Sequence, residues 1–95
     1  MATALRLARG IAISSDTTTE VRFDAARAVC EMRAQDGSLL ESRALPPGVT
    51  FAALPARSRI LFGGLGTAEN GTVVLATGAR ARHIVVNQRG RVRVQ

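Results

Sequence analysis

The sequence predicts an α+β domain, with one short helix first and then about seven short strands in one or two antiparallel sheets. Two patterns carry this reading. Leu5, Ala8 and Ala12 recur at helical spacing near the start of the chain. From Glu20 onward, apolar and β-branched residues alternate with polar ones in short runs, and breaks rich in Gly and Pro separate the runs. At 95 residues a single domain over residues 1–95 is expected. A chain of this size buries about two thirds of its unfolded surface, enough for one modest core.

Residues 3–13 read as the helix, with Thr3 as N-cap and Leu7 beside Ile11. Gly10 weakens it by up to about 1 kcal/mol relative to Ala. So short a helix is marginal alone and needs a sheet to lie on. Residues 14–19 are polar and loop-like. Glu20-Val21-Arg22-Phe23 alternates as a strand with Val21 and Phe23 inward, and Asp24-Ala25-Ala26-Arg27 turns the chain. In the next run Ala28, Cys30 and Met32 share one face, and Asp36-Gly37 marks a turn. Residues 39–45 form a further strand, closed by Pro46-Pro47-Gly48. Val49, Phe51 and Ala53 then share a face, and after Pro55 the pair Ile60 and Phe62 marks the next strand. A loop runs from Gly63 to Gly71.

The C-terminal quarter is the most informative stretch. Residues 72–77 are a β-branched run, Thr77-Gly78-Ala79-Arg80 a turn, and residues 81–87 a second apolar run. Gln88-Arg89-Gly90 breaks it, and residues 91–94 alternate strictly. Val92 and Val94 therefore face one way, and Arg91 and Arg93 the other, roughly 7 Å apart. Arg80, Arg82 and Arg89 lie in or beside the preceding turns, and no acid follows Glu69.

The net charge of +6 is lopsided. Residues 1–45 carry six arginines against six acids, whereas residues 46–95 carry seven arginines against Glu69 alone. Such asymmetry points to a polyanion or an acidic partner. Every basic residue is Arg, which stays charged and can grip phosphate with two parallel hydrogen bonds.

Chemistry beyond anion binding finds little support. Cys30 is the only cysteine, which excludes an internal disulfide and a cysteine metal cluster, and its strand phase makes it a small buried hydrophobe. His83 is the only histidine and sits mid-strand in phase with Ala81, Val85 and Asn87, as a structural or surface residue. Asp16, Glu20 and Asp24 are spaced by four but do not lie on one helix, and read as solvated acids. Gly63-Gly64-Leu65-Gly66 lacks the Gly-Lys-Ser/Thr ending of a phosphate loop and leads into a strand, so a hairpin loop is expected. No enzyme, cofactor or metal site is expected. The arginine cluster remains, read either as a solvated strand face or as an anion-binding surface. With neither Tyr nor Trp, and with Phe23, Phe51 and Phe62 committed to the core, base stacking is unavailable. Any nucleic-acid contact should be to phosphates, with little sequence preference.

Two segments resemble one family. Ala4-Leu5-Arg6-Leu7-Ala8-Arg9 is similar to the segment after the membrane span in the FimT/GspH family of minor pilins and pseudopilins. Residues 71–94, GTVVLATGARARHIVVNQRGRVRV, resemble that family's terminal strands, which end in Gly-Arg-x-Arg. The resemblance covers both ends of the chain, while the middle agrees in style only. It implies a pilin-like fold in which residues 3–13 are the remnant of a long N-terminal helix. That helix anchors such proteins in the inner membrane and later packs in a filament core. FimT-like members are minor pilins of type IV pilus systems, and their Gly-Arg-x-Arg end is associated with DNA binding during uptake for natural transformation (competence). GspH-like members are minor pseudopilins of type II secretion and act in pseudopilus assembly. Gly90-Arg91-Val92-Arg93 matches the first pattern, and the charge of the second half agrees with it.

The FimT-like reading is therefore favoured, with the GspH-like one, without DNA binding, as the alternative. The expected DNA-binding residues are Gly90, Arg91 and Arg93, supported by Arg89, Arg82 and Arg80. The expected partners are double-stranded DNA, other pilin or pseudopilin subunits, and the membrane through a helix upstream of this chain. The isolated domain is expected to be monomeric. The expected location is the periplasmic side of the inner membrane, or a pilus or pseudopilus filament. The reading predicts that the gene encodes about 20 or more apolar residues upstream of Ala4, enough to span a bilayer. Sequencing the locus checks this, and an upstream region without such a segment removes the pilin assignment.

Overall fold

A computed structural model describes residues 1–95. Helix α1 (Ala2–Ser15) precedes eight strands, one more than the seven or so expected. They are β1 (Thr19–Asp24), β2 (Val29–Arg33), β3 (Leu39–Ala44), β4 (Thr50–Ala53), β5 (Arg59–Phe62), β6 (Gly71–Thr77), β7 (Arg80–Val86) and β8 (Val92–Val94). They form two four-stranded antiparallel sheets, ordered β3-β2-β1-β5 and β4-β6-β7-β8. The helix packs on β1 and β5 of the first sheet and on β8 of the second, so it covers the seam between them.

The buried face of α1 is Ala4, Leu5, Ala8 and Ala12. Three of the four are alanines, which lets the helix axis come close to the strands beneath. The helix outruns its expected limits at both ends. It starts at Ala2 with no side-chain cap, so Thr3 is not the N-cap. Its end is a Schellman motif: Asp16 adopts φ 53°, its N–H bonds to the Ile13 carbonyl, and the Thr17 N–H bonds to the Ala12 carbonyl. Asp is among the few residues that enter this left-handed region readily. Ser15 remains helical with its Oγ on the Ile11 carbonyl at 2.7 Å, although its polarity reads as loop. Leu7 does not face the core. It lines a shallow outer groove with Gly10, Ile11 and Ser14.

The inner face of the first sheet is Val21, Phe23, Cys30, Met32, Ile60 and Phe62, all buried, as their alternation predicts. Ala28 is the exception: its φ of 52° places it in the turn before β2. The outer face is a lattice of opposite charges. Glu20 stands directly across from Arg33 and Arg22 across from Glu31. Glu20 accepts from Arg59 Nη1 at 3.1 Å and from Arg22 Nε, and is only 9% exposed. It is therefore not the solvated acid that its spacing suggests. Sequence spacing gives no sign that β5 pairs with β1, the pairing that brings Arg59 alongside.

In the second sheet a register shift between Phe51 and Ala53 separates residues expected on one face. Phe51 lies across from Leu75 and Ala53 across from Val74, on opposite sides. Phe51 packs edge-on against Phe23, with ring centroids 5.7 Å apart, and so joins the two sheets. β6 and β7 are joined by the two-residue turn Gly78-Ala79, with Gly78 at φ 57°, as expected.

The turn between β7 and β8 meets α1 and the 63–71 loop at one point. Gly90 has φ 79°, and a Cβ there would fall on the Gly66 carbonyl oxygen and lie 2.7 Å from Arg9 Nε. Gly66 has φ 82°, and a Cβ there would lie 2.9 Å from Arg9 Nη2. Three segments distant in sequence thus touch through two glycines and one arginine.

Two glycine substitutions should therefore act in opposite directions. Gly10→Ala meets nothing within 4 Å and sits mid-helix, so it should stabilise by about 0.5–1 kcal/mol. Gly90→Ala combines left-handed strain with a backbone clash and should cost at least about 2 kcal/mol. That corresponds to a fall of about 8 °C or more in thermal midpoint for a domain of this size. Calorimetry on both variants checks the signs. Cys30 is 2% exposed, and burial pushes its thiol pKa up, so it stays protonated at neutral pH. It should resist a thiol reagent until the protein is unfolded, and rapid native labelling would show that β2 is loose.

Candidate functional site

The polar groove with the densest positive charge lies where the turn between β7 and β8 crosses α1. It is lined by Arg6, Arg9, Arg89, Gly90, Arg91 and Val92, with a volume of about 480 Å³. Four guanidinium groups share it, two from the helix and two from the turn.

Local chemistry fixes the turn. The Asn87 Oδ1 accepts from the N–H of Arg89 and of Arg91, each at 3.0 Å. The Asn87 carbonyl accepts from the Gly90 N–H at 2.9 Å, and the Asn87 N–H donates to the Arg91 carbonyl at 3.1 Å. One asparagine thus holds the backbone on both sides of Gly90, as Asn side chains do in tight turns. The Ala68 N–H donates to the Gln88 carbonyl at 3.0 Å and ties in the 63–71 loop. Gly90 contributes space and a turn, and its own N–H is already committed.

The helix arginines are held by one donor each. Arg6 Nη2 donates to the Val92 carbonyl at 3.1 Å, and Arg9 Nε donates to the Gly66 carbonyl at 2.9 Å. Arg6 and Arg9 are one turn apart on the helix and project to the same side. A guanidinium has five N–H donors, so most of each fork remains free for an anion.

The charge of the groove is uncompensated: no acid lines it, and four of the seven acids are paired elsewhere. Glu20, Asp24, Glu31 and Glu41 pair with Arg22, Arg27, Arg33, Arg43 and Arg59. All nine lie in or beside the first sheet. None of the arginines in the groove has an acidic partner. The sheet topology therefore separates a charge-paired surface from an unpaired one.

The six residues expected to bind an anion do not all meet. Arg89, Gly90 and Arg91 line the groove. Arg93 stands across from Val85 in β8, on the face opposite to buried Val92, at the edge of the sheet. Arg80 sits at the far end of β7, across from Thr77 in the hairpin. Seven residues of strand separate it from Asn87, about 23 Å. Arg82 lines a second, largely apolar groove of about 350 Å³ with Met1, Leu75, Ile84 and Val94. Arg80 and Arg82 therefore belong to the other end of the sheet. His83 is exposed in β7 and Cys30 is buried in β2, so they form no pair.

Arg6, Arg9, Asn87 and Gly66 are the site residues that sequence reasoning missed. Asn87 had a legible signal, an Asn three residues before a Gly at a strand break. The spacing of Arg6 and Arg9 shows that they share a helix flank, but not which segment lies beside it.

Comparison with solved structures places the fold. The chain superposes on the type IV minor pilin FimU of Pseudomonas aeruginosa with a TM-score of 0.79 at 17% identity, over 99% of this chain and 86% of that one. A second crystal form of FimU gives 0.78 at 16% identity, over 99% and 81%. The minor pseudopilin EpsH from the type 2 secretion system of Vibrio cholerae gives 0.75 at 15% identity, over 99% and 89%. At these identities the likeness is one of fold: an N-terminal helix packed on antiparallel sheets, as in pilins. No curated protein matches the chain in sequence. Residues 1–90 match the family model described as Type II transport protein GspH. The chain therefore belongs to the GspH family of minor pilins and pseudopilins.

Proposed function

We propose that this member of the family is a minor pilin of a type IV pilus system, FimT-like, which binds duplex DNA without sequence preference during DNA uptake. The observation that carries the reading is the groove at Arg89-Gly90-Arg91, rich in guanidinium groups and free of acids. The forked donors suit phosphate oxygens, and with no Tyr or Trp the contact is to the DNA backbone. In this reading the domain stands in the periplasm or in a filament and assembles with other pilin subunits. Its anchor is an apolar helix encoded upstream of α1. No helix of the structure is itself long and apolar enough to cross a membrane.

A second reading has the family model's own description in its favour: a pseudopilin of type II secretion, acting only in filament assembly. It makes the groove dispensable. The two readings part on DNA binding.

Titration of the purified domain against a short duplex at several salt concentrations tests this. If about four phosphates are neutralised, log K should fall against log salt with a slope near −3.6. Arg91→Gln with Arg93→Gln should cut that slope by between about one and two units and leave the fold intact. The matched control is Arg27→Gln with Arg43→Gln, which lowers net charge equally but disrupts only exposed ion pairs beside the first sheet. Arg6 and Arg9 cannot serve as a control, because they line the groove. Equal loss in both double variants would mean binding by net charge alone, and no binding at low salt would favour the secretion reading.

A further inference from the structure

We infer that α1 supplies half of the DNA-binding site: Arg6 and Arg9 grip backbone phosphate together with Arg89 and Arg91, so the duplex lies across the seam between α1 and β8. This rests on the DNA-binding reading and adds to it the residues and the direction of approach.

The geometry points there in three ways. The groove is built by the helix and the terminal turn together, with two arginines from each. Arg6 and Arg9 are held to the Val92 and Gly66 carbonyls by single hydrogen bonds, so their forks are fixed in place before any ligand arrives. An arginine already ordered loses less side-chain freedom on binding than a mobile one. Finally, the groove has no carboxylate to compete, whereas each arginine of the first sheet's charged face has one.

The arrangement also ranks the terminal arginines. Arg91 lines the groove, while Arg93, two residues further along the edge strand β8, does not. A duplex over the seam meets Arg6, Arg9, Arg89 and Arg91 directly and reaches Arg93 only further along that edge. The ligand class is a phosphodiester backbone, read by charge and spacing rather than by base edges.

The test is duplex binding by single variants together with a footprint of the unaltered protein. Arg6→Gln and Arg9→Gln should each lower affinity about eightfold at 0.1 M salt and reduce the salt slope by about one unit, the counterion term of one phosphate contact. Arg93→Gln should lose less than either. Arg9→Gln also removes a bond to the 63–71 loop, so folding could confound it. The footprint avoids that difficulty: phenylglyoxal modifies arginines of the native domain with and without saturating duplex, and mass spectrometry reads each site. Protection of Arg6, Arg9, Arg89 and Arg91, with Arg57 unprotected, is the expected result. Protection of Arg89 and Arg91 while Arg6 and Arg9 react unchanged would overturn the inference and leave the DNA-binding reading standing. Binding to anionic phospholipid vesicles with none to duplex would overturn both.

Discussion

The backbone of Gly90 passes so close to the Gly66 carbonyl that no side chain fits between them, and the placing of the groove arginines follows from that approach. With the turn seated on the 63–71 loop, Arg9 can reach the Gly66 carbonyl and Arg6 the carbonyl of Val92. The helix is thereby fixed not only by its buried alanines but also by two polar contacts at its flank. A side chain at position 90 would lift the turn, and the two helix arginines would lose their neighbours from the C-terminal strand. The glycine of the Gly-Arg-x-Arg pattern is thus a packing requirement before it is anything chemical.

The second constraint is where the acids are. Glu20, Glu31 and Glu41 each pair with an arginine two residues along their own strand, Asp24 pairs with Arg27 in the turn after β1, and Glu20 also reaches Arg59 of the neighbouring strand β5. Exposed pairs of this kind add little to stability individually. Their consequence is spatial. Because four of the seven acids are engaged on one sheet and none lines the groove, arginines dominate the field over the groove. A charge asymmetry along the chain becomes an asymmetry in space because residues 19–44 supply three adjacent strands of a single sheet.

Much of this was legible in the sequence. Alternation identified the inner faces of β1, β2, β5 and β8, and the Gly78 turn marked the β6–β7 hairpin. Helical spacing places α1 correctly but cuts it short, because its end depends on Asp16 entering the left-handed region, which polarity does not announce. The phase of β4 was lost at a bulge, since an extra residue changes the face of everything after it. The candidate site was half legible. Arg89, Gly90 and Arg91 could be grouped because they are adjacent in sequence. Nearness in sequence groups Arg80 and Arg82 with them too, yet the strand between carries them to the far end of the sheet. Arg6 and Arg9 could not be found at all, because their contact with the turn spans more than 80 residues of chain for Arg6, and sequence spacing says nothing about such a contact.

The use of arginine, and not lysine, then takes on a structural meaning whatever its origin in codon usage. A lysine ammonium offers its three donors from one nitrogen, so anchoring it to a backbone carbonyl pulls the whole charge toward that carbonyl. A guanidinium separates the two tasks. Arg9 anchors through Nε and keeps both terminal nitrogens, one of them beside Gly66, for further donation, and Arg6 anchors through one terminal nitrogen and keeps the others. The same side chain can therefore be part of the scaffold and part of the binding surface. In a domain this small, with about two thirds of its surface buried at best, such double use is how a rigid cationic groove can exist without further core to support it.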